Sequence, residues 1–175
     1  MTMHDRLLDL AEDLSRTRGL DAFSYADLAR ATGVTKAAIH HHFPTKASLS
    51  LAVLERYSET FLAALEALEG SAQERLAGFV ALYRGASNGG SQLCLCVSYG
   101  SAPESLSPEV REGVAAFHRD VTAWLERTLQ EAGRAPAEAP MILATVEGAQ
   151  LIARATGNAA AFDAATHPLL TLLET

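Results

Sequence analysis

Residues 23–49 read FSYADLARATGVTKAAIHHHFPTKASL, and the spacing of their caps and breakers sets the architecture. Ser24 followed three residues later by Asp27 is a capping-box arrangement, which predicts a helix starting at Tyr25. Leu28, Ala29 and Ala31 give that helix a small-residue face, and Gly33 stops it in a tight turn. Thr35 supplies a second N-cap oxygen, so Lys36 to His42 form a helix of two turns. Two short helices joined by a turn of about three or four residues containing glycine make a helix-turn-helix. In such a unit the second helix enters the major groove of DNA with its N-terminal residues toward the base edges. Ala37 and Ala38 keep that face small enough for close approach. Pro44 ends the helix and Thr45 caps the next one, placing Lys46 in its first turn. A helix N-terminus and a lysine charge together suit a phosphate.

Helical periodicity continues on both sides of this stretch. Leu7, Leu10, Ala11 and Leu14 form one apolar stripe, ended at Arg18-Gly19. Leu54, Tyr57, Phe61, Leu65 and Leu68 form a longer one before Gly70, and Val110, Val114, Phe117, Val121, Leu125 and Leu129 another before Gly133. No useful length alternates at period two, and the strong helix formers Ala, Leu, Glu and Arg dominate. The fold expected is all-α, with about nine helices separated by Gly, Pro and Ser/Asn breaks. Residues 1–48 are expected to form a three-helix DNA-binding domain, and residues 49–175 a ligand-binding and dimerisation bundle.

Composition limits the function. The chain has 175 residues, 49% apolar and 20% charged, which describes a globular protein and not a disordered one. Its formal net charge is −7, so it does not coat nucleic acid through overall positive charge. DNA binding has to rest on a local patch. Residues 1–60 carry seven basic and eight acidic side chains, whereas residues 61–175 carry seven and thirteen. The protein's two lysines, Lys36 and Lys46, both fall in the first segment and flank the short second helix. No apolar run approaches ~18 residues and the N-terminus lacks a signal-peptide layout, so a cytoplasmic protein with no membrane partner is expected. Gly-x-Ser-x-Gly, Gly-x-Gly-x-x-Gly, phosphate-loop and His-Glu-x-x-His motifs are all missing, which argues against an enzyme and against a cofactor. The run His40-His41-His42 does not suit a metal, because neighbours on a helix point about 100° apart and no nearby Cys, Asp or Glu completes a ligand set.

Phe23, Leu28, Ala29, Gly33, Val34, Thr35, Ile39, His42, Phe43, Thr45, Lys46 and Leu49 together resemble the DNA-binding domain of the TetR/AcrR transcriptional repressors. The resemblance covers about fifty residues and fixes residue types and spacings jointly. It implies a homodimeric repressor of double-stranded operator DNA, with contacts from Thr35, Lys36, Ala37, His40 and His41 and phosphate contacts from Tyr25 and Lys46. His40 is a departure, since the family usually has tyrosine there. His42 is expected to pack inward beside Phe43.

The segment GGSQLCLCVSYGSAPESLSPEVRE, residues 89–112, resembles a branch of that family in which the cysteine matching Cys94 senses electrophiles or oxidants. Cys94 and Cys96 read more readily as small core side chains, as most free cysteines do, than as sensor thiols. A disulfide between them is disfavoured, because residues two apart on a helix face apart. Phe61, Phe79, Tyr83, Tyr99, Phe117, Trp124 and Gln150 are candidates to line an effector pocket, although at helical spacing each also reads as core. Ile142, Val146, Ala149, Ile152, Phe162, Leu169 and Leu173 are the expected dimer face, which agrees with the family's pairing of its last two helices. The reading is a repressor released from a palindromic operator by a small-molecule or electrophile effector. The alternative is a helical bundle whose motif has lost DNA binding.

Overall fold

The computed structural model describes residues 2–172. Among the described residues there are nine α-helices and no strand: α1 Met3–Arg18, α2 Tyr25–Thr32, α3 Lys36–His42, α4 Lys46–Glu66, α5 Ala72–Ala86, α6 Leu95–Gly100, α7 Pro108–Glu131, α8 Ala139–Thr156 and α9 Ala160–Leu170. None of them is long and apolar enough to cross a membrane.

The helix starts follow from local chemistry. Thr2 and Asp5 close a capping box on α1, Ser24 and Asp27 close one on α2, and Ser71 and Glu74 close one on α5. Thr35 accepts from the Ala38 N–H at 3.2 Å and starts α3. At Gly33 the chain turns with φ +74°, a left-handed conformation that a Cβ penalises, so α2 ends there and the chain reverses into α3. Thr45 and Ser48 cap α4 reciprocally, each hydroxyl accepting the other's backbone N–H.

The chain divides into two compact units. One contains Met1–Glu59 and Leu95–Ala116. Its core gathers Leu7, Leu14, Leu28, Ile39, Phe43, Leu49, Val53 and Leu54, joined by Leu95, Tyr99 and Val110 from the later segment. The Ser98 hydroxyl donates to the Ser15 carbonyl at 2.6 Å, tying α6 to α1. Tyr99 donates to the Ser50 carbonyl at 3.4 Å, and burial pushes its phenol up to about 12. Arg56 reaches from α4 to Asp9 and Glu12 on α1.

The second unit contains Thr60–Cys94 and Phe117–Thr175. It is organised on aromatic side chains. Phe61 lies edge-on to Tyr83 at 5.2 Å and 5.4 Å from Phe117, while Phe79 is 5.0 Å from Tyr83 and stacks on Trp124 at 5.9 Å. Such pairs add roughly 0.5–1.5 kcal/mol each beyond their area burial. Helices α8 and α9 pack along one another. Ion pairs Arg84–Asp163, Arg75–Glu131 and Arg127–Glu66 close the edges.

Candidate nucleic-acid interface

On α3 the inward face is narrow. Ile39 is fully buried and Phe43, one turn on, is 4% exposed, so these two residues dock the helix on its unit. Thr35, Lys36, Ala37, His40 and His41 are all exposed, which leaves one side of a short helix clear for a groove. His42 is exposed as well, contrary to the expectation that it packs inward. The i, i+4 pair Ile39–Phe43 takes the inner face, and His42 lies about 100° away from Phe43. Its ring instead approaches those of His4, at 6.1 Å, and His41, at 5.8 Å.

Tyr25 and Lys46, both expected at phosphates, are placed differently from the exposed set. Tyr25 is buried, and its hydroxyl lies 2.6 Å from the Thr45 carbonyl and 2.9 Å from that of Phe43, to which it donates. Burial pushes its phenol up to about 12. Lys46 extends back along the unit and donates to the Leu20 carbonyl at 2.5 Å and the Phe23 carbonyl at 2.7 Å. Its ammonium also sits 4.5 Å from the centre of the Phe23 ring. Desolvation holds its pKa below the usual lysine value, partly offset by Asp21 and Asp27. An ammonium has three donors, so one remains after these two bonds.

Phe23, Ser24, Tyr25, Ala26, Lys36, His40 and Lys46 line an open groove of about 380 Å³. His40 is seated there by two contacts: its Nδ1 is 3.1 Å from the Pro44 carbonyl, and its ring meets Tyr25 edge-on at 4.8 Å. At the head of α2, the Asp27 carboxylate accepts the Ser24 hydroxyl and backbone N–H, both at 2.8 Å. These bonds, the hydroxyl first, hold Asp27 below the usual carboxylate range. Among the described residues no three His, Cys, Asp or Glu side chains converge to hold a metal ion.

The geometry above coincides with a known pattern. The profile described as "Bacterial regulatory proteins, tetR family" matches residues 7–53, spanning α1 to the first turns of α4. A transcriptional regulator of the TetR family from Agrobacterium tumefaciens is 33% identical, with a TM-score of 0.87 over 95% of this chain and 95% of that one. This chain belongs to the TetR family. A TetR regulator from Legionella pneumophila superimposes with a TM-score of 0.90 at 28% identity, over 97% of this chain and 96% of that one. The HTH-type transcriptional repressor NemR of Escherichia coli K12 is 27% identical over 138 residues, 74% of this chain and 69% of its own length. The TetR-family chain is thus a transcriptional regulator, and the helix-turn-helix is its nucleic-acid-binding element.

The candidate effector residues of this TetR-family regulator fall into separate roles. Phe61, Tyr83, Phe117 and Trp124 are brought together with Phe79 in one aromatic cluster of the second unit. Gln150 is fully buried and committed to backbone, accepting the Cys94 N–H at 2.8 Å and donating to the Tyr83 carbonyl at 2.6 Å. Tyr99 belongs to the first unit and bonds Ser50. Cys94 and Cys96 are both fully buried, and no disulfide joins them. Two residues escaped sequence reasoning. His118 Nε2 lies 3.1 Å from Glu147 Oε1, and the Tyr83 hydroxyl points at the same oxygen from 3.5 Å. This is a half-buried polar group at the edge of the aromatic cluster. Positions 29 residues apart on different helices carry no local signal of it.

Most of the expected dimer residues lie inside the chain. Ile142, Val146, Ala149, Phe162 and Leu169 are 0–4% exposed, and Leu173 lies outside the described residues. Of that set Ile152 alone is outward, at 53%. Helix α8 is apolar on both faces, so periodicity could not say which face was the inner one. The outer face carries Met141, Ala144, Leu151, Ile152 and Ala155.

Proposed function

We propose that this chain is a homodimeric repressor that binds double-stranded operator DNA through α2 and α3 and releases it when an effector occupies the second unit. The observation that carries DNA binding is the exposed set Thr35, Lys36, Ala37, His40 and His41 on a helix docked by Ile39 and Phe43. Residues 1–48 then act as the DNA-binding domain and residues 49–175 as the ligand-binding and dimerisation domain. Lys36 brings a cation to the recognition helix, and Lys46 keeps one donor for a phosphate. The repressor name of the Escherichia coli relative supports repression as the sense of regulation.

A dimer is supported by the outer face of α8. Met141, Leu151 and Ile152 are the large apolar side chains that stand exposed among the described residues. A contiguous apolar patch of this kind marks an association surface. Two-fold pairing through it would present two α3 helices to a palindromic site about one helical turn, ~34–36 Å, between half-site centres.

The aromatic cluster with its His118–Glu147 edge has the mixed character of a small-molecule site, mostly apolar with a few polar groups. An effector releases DNA if it binds the DNA-incompetent conformation more tightly, and nothing else is required. A thiol-reactive effector would act at Cys94, which immediately precedes α6 and is fully buried, so its reaction would report opening of that packing.

The test is titration of the purified protein with DNA from upstream of its own coding region, at two salt concentrations, beside a scrambled duplex. Preference for the upstream DNA at both salts supports an operator. Equal affinity for both duplexes overturns sequence-specific repression at that locus.

A further inference from the structure

We propose that His40 is a proton-dependent contact to the DNA backbone, donating from Nε2 to a phosphate in the groove it shares with Lys36 and Lys46 only when its imidazole is charged. This rests on the DNA-binding reading above.

The other ring nitrogen, Nδ1, is already committed to the backbone. Nδ1 lies 3.1 Å from the Pro44 carbonyl, and a carbonyl only accepts. Nδ1 therefore carries its hydrogen whether the ring is neutral or charged. In the neutral ring Nε2 is then a lone-pair acceptor, and a phosphate oxygen, also an acceptor, gains nothing from it. Protonation turns Nε2 into a donor and adds a full charge, giving the short charge-assisted bond that phosphates favour. The contact exists in one protonation state and not in the other. The Pro44 bond and the Tyr25 ring edge at 4.8 Å hold the imidazole in place, so the change is one of charge and not of position.

The groups around the ring decide the sign of the coupling. From α2 come Tyr25, whose buried phenol stays neutral with its hydroxyl on main-chain carbonyls, and Asp27, which is engaged by Ser24 and Arg30. From α4 comes the Lys46 ammonium, and one turn earlier on α3 stands Lys36. The two lysines line the same groove. An incoming phosphate adds negative charge beside the ring and favours the charged imidazole. DNA binding should take up a proton at each His40, and linkage then makes affinity rise as pH falls through the range in which histidine changes charge.

The experiment measures binding of the full-length protein to a short fluorescein-labelled duplex of arbitrary sequence and to its upstream DNA, between about pH 6 and about pH 8 at constant ionic strength. An arbitrary duplex suffices because phosphate contacts are independent of sequence. The wild type should bind both duplexes roughly tenfold more weakly at the higher pH, and the slope of log affinity against log salt should flatten by about 0.9 for each phosphate that is no longer neutralised. His40→Gln, a donor at every pH, should abolish the pH effect, whereas His41→Gln should retain it. A variant-free arm follows the His40 ring by nitrogen NMR: Nδ1 should be protonated throughout, and the protonation midpoint of Nε2 should move up when duplex is added. A pH effect that persists in His40→Gln, or a midpoint unmoved by duplex, overturns the proposal. A wild type that binds neither duplex at the lower pH overturns the DNA-binding reading and this inference with it.

Discussion

The Tyr25 hydroxyl lies 2.6 Å from the Thr45 carbonyl, so the first residue of α2 is bonded to the cap of α4 across the helix that lies between them in sequence. The Phe43 carbonyl, at 2.9 Å, is a second acceptor for the same O–H. Both acceptors follow directly on the last turn of α3, and the tyrosine therefore sets where its C-terminal end stands relative to α2. Removing that hydroxyl should act on stability. Tyr25→Phe is expected to cost about 1 kcal/mol, the usual net worth of one such bond. Thermal unfolding should shift down by roughly 2–4 °C in a chain of this size. The salt slope of DNA binding should stay at the wild-type value, because the hydroxyl is spent on the backbone; a flatter slope would restore it to the phosphates.

Lys46 bonds two carbonyls and, in the proposed complex, a phosphate, and a charge-free side chain of similar length tests both. Lys46→Met keeps much of the stem but loses the bonds to Leu20 and Phe23. The side chain is half-buried, so a loss of about 1 kcal/mol is expected once solvent screening is allowed for. Binding to all duplexes should weaken by a similar factor. Selective loss of the upstream sequence, with arbitrary DNA unaffected, would show that Lys46 reads bases.

Gln150 bridges two buried backbone groups, the Cys94 N–H and the Tyr83 carbonyl, the second of which also accepts the Ser87 N–H at 3.1 Å. Gln150→Leu leaves the Cys94 N–H and the Tyr83 carbonyl without it, at a cost of roughly 1–3 kcal/mol in urea unfolding. The same change should raise the rate at which a small thiol reagent labels Cys94 in the native protein. A labelling rate equal to wild type would mean that the Cys94 backbone is held by other contacts.

The apolar outer face of α8 should decide the oligomeric state. Ile152→Asp places a charge on a side chain that is 53% exposed, so the chain should still fold but sediment as a monomer. Gly148→Leu is a companion test, because a Cβ at that position meets nothing within 4 Å in its own chain. Ile142→Asp, by contrast, buries a charge in the core and should unfold the protein. A folded dimer in Ile152→Asp would move the interface elsewhere.

Acid should loosen the head of α2. Asp27 is held below the usual carboxylate range by its bonds to Ser24, so its folded pKa lies under the unfolded one. The stability it contributes is complete above the ordinary carboxylate value of about 4 and is lost as pH falls through the folded value. Wild type should therefore melt higher than Asp27→Asn at neutral pH, and the gap should close below about pH 4. A gap of constant width down to pH ~3 would mean that the carboxylate charge contributes nothing.

What the sequence determined by itself was everything that depends on neighbours within one helical turn. Ser24 with Asp27, Thr35 with the Ala38 N–H, and Gly33 at φ +74° are all interactions between residues zero to three apart. They place the starts of α2 and α3 and the turn between them without any knowledge of the rest. The tertiary structure decided the relationships that close long loops. It bent Lys46 back to carbonyls 23 and 26 residues away, gave Gln150 to a backbone N–H at a separation of 56, and set His118 against Glu147. It also chose which side of α8 faces inward. Both sides are apolar, and only packing against α9 and the aromatic cluster breaks that degeneracy. Hydrogen-bond caps are local and directional, so they can be read from spacing. Burial is neither, so which of two apolar faces is covered is known only when the chain has folded.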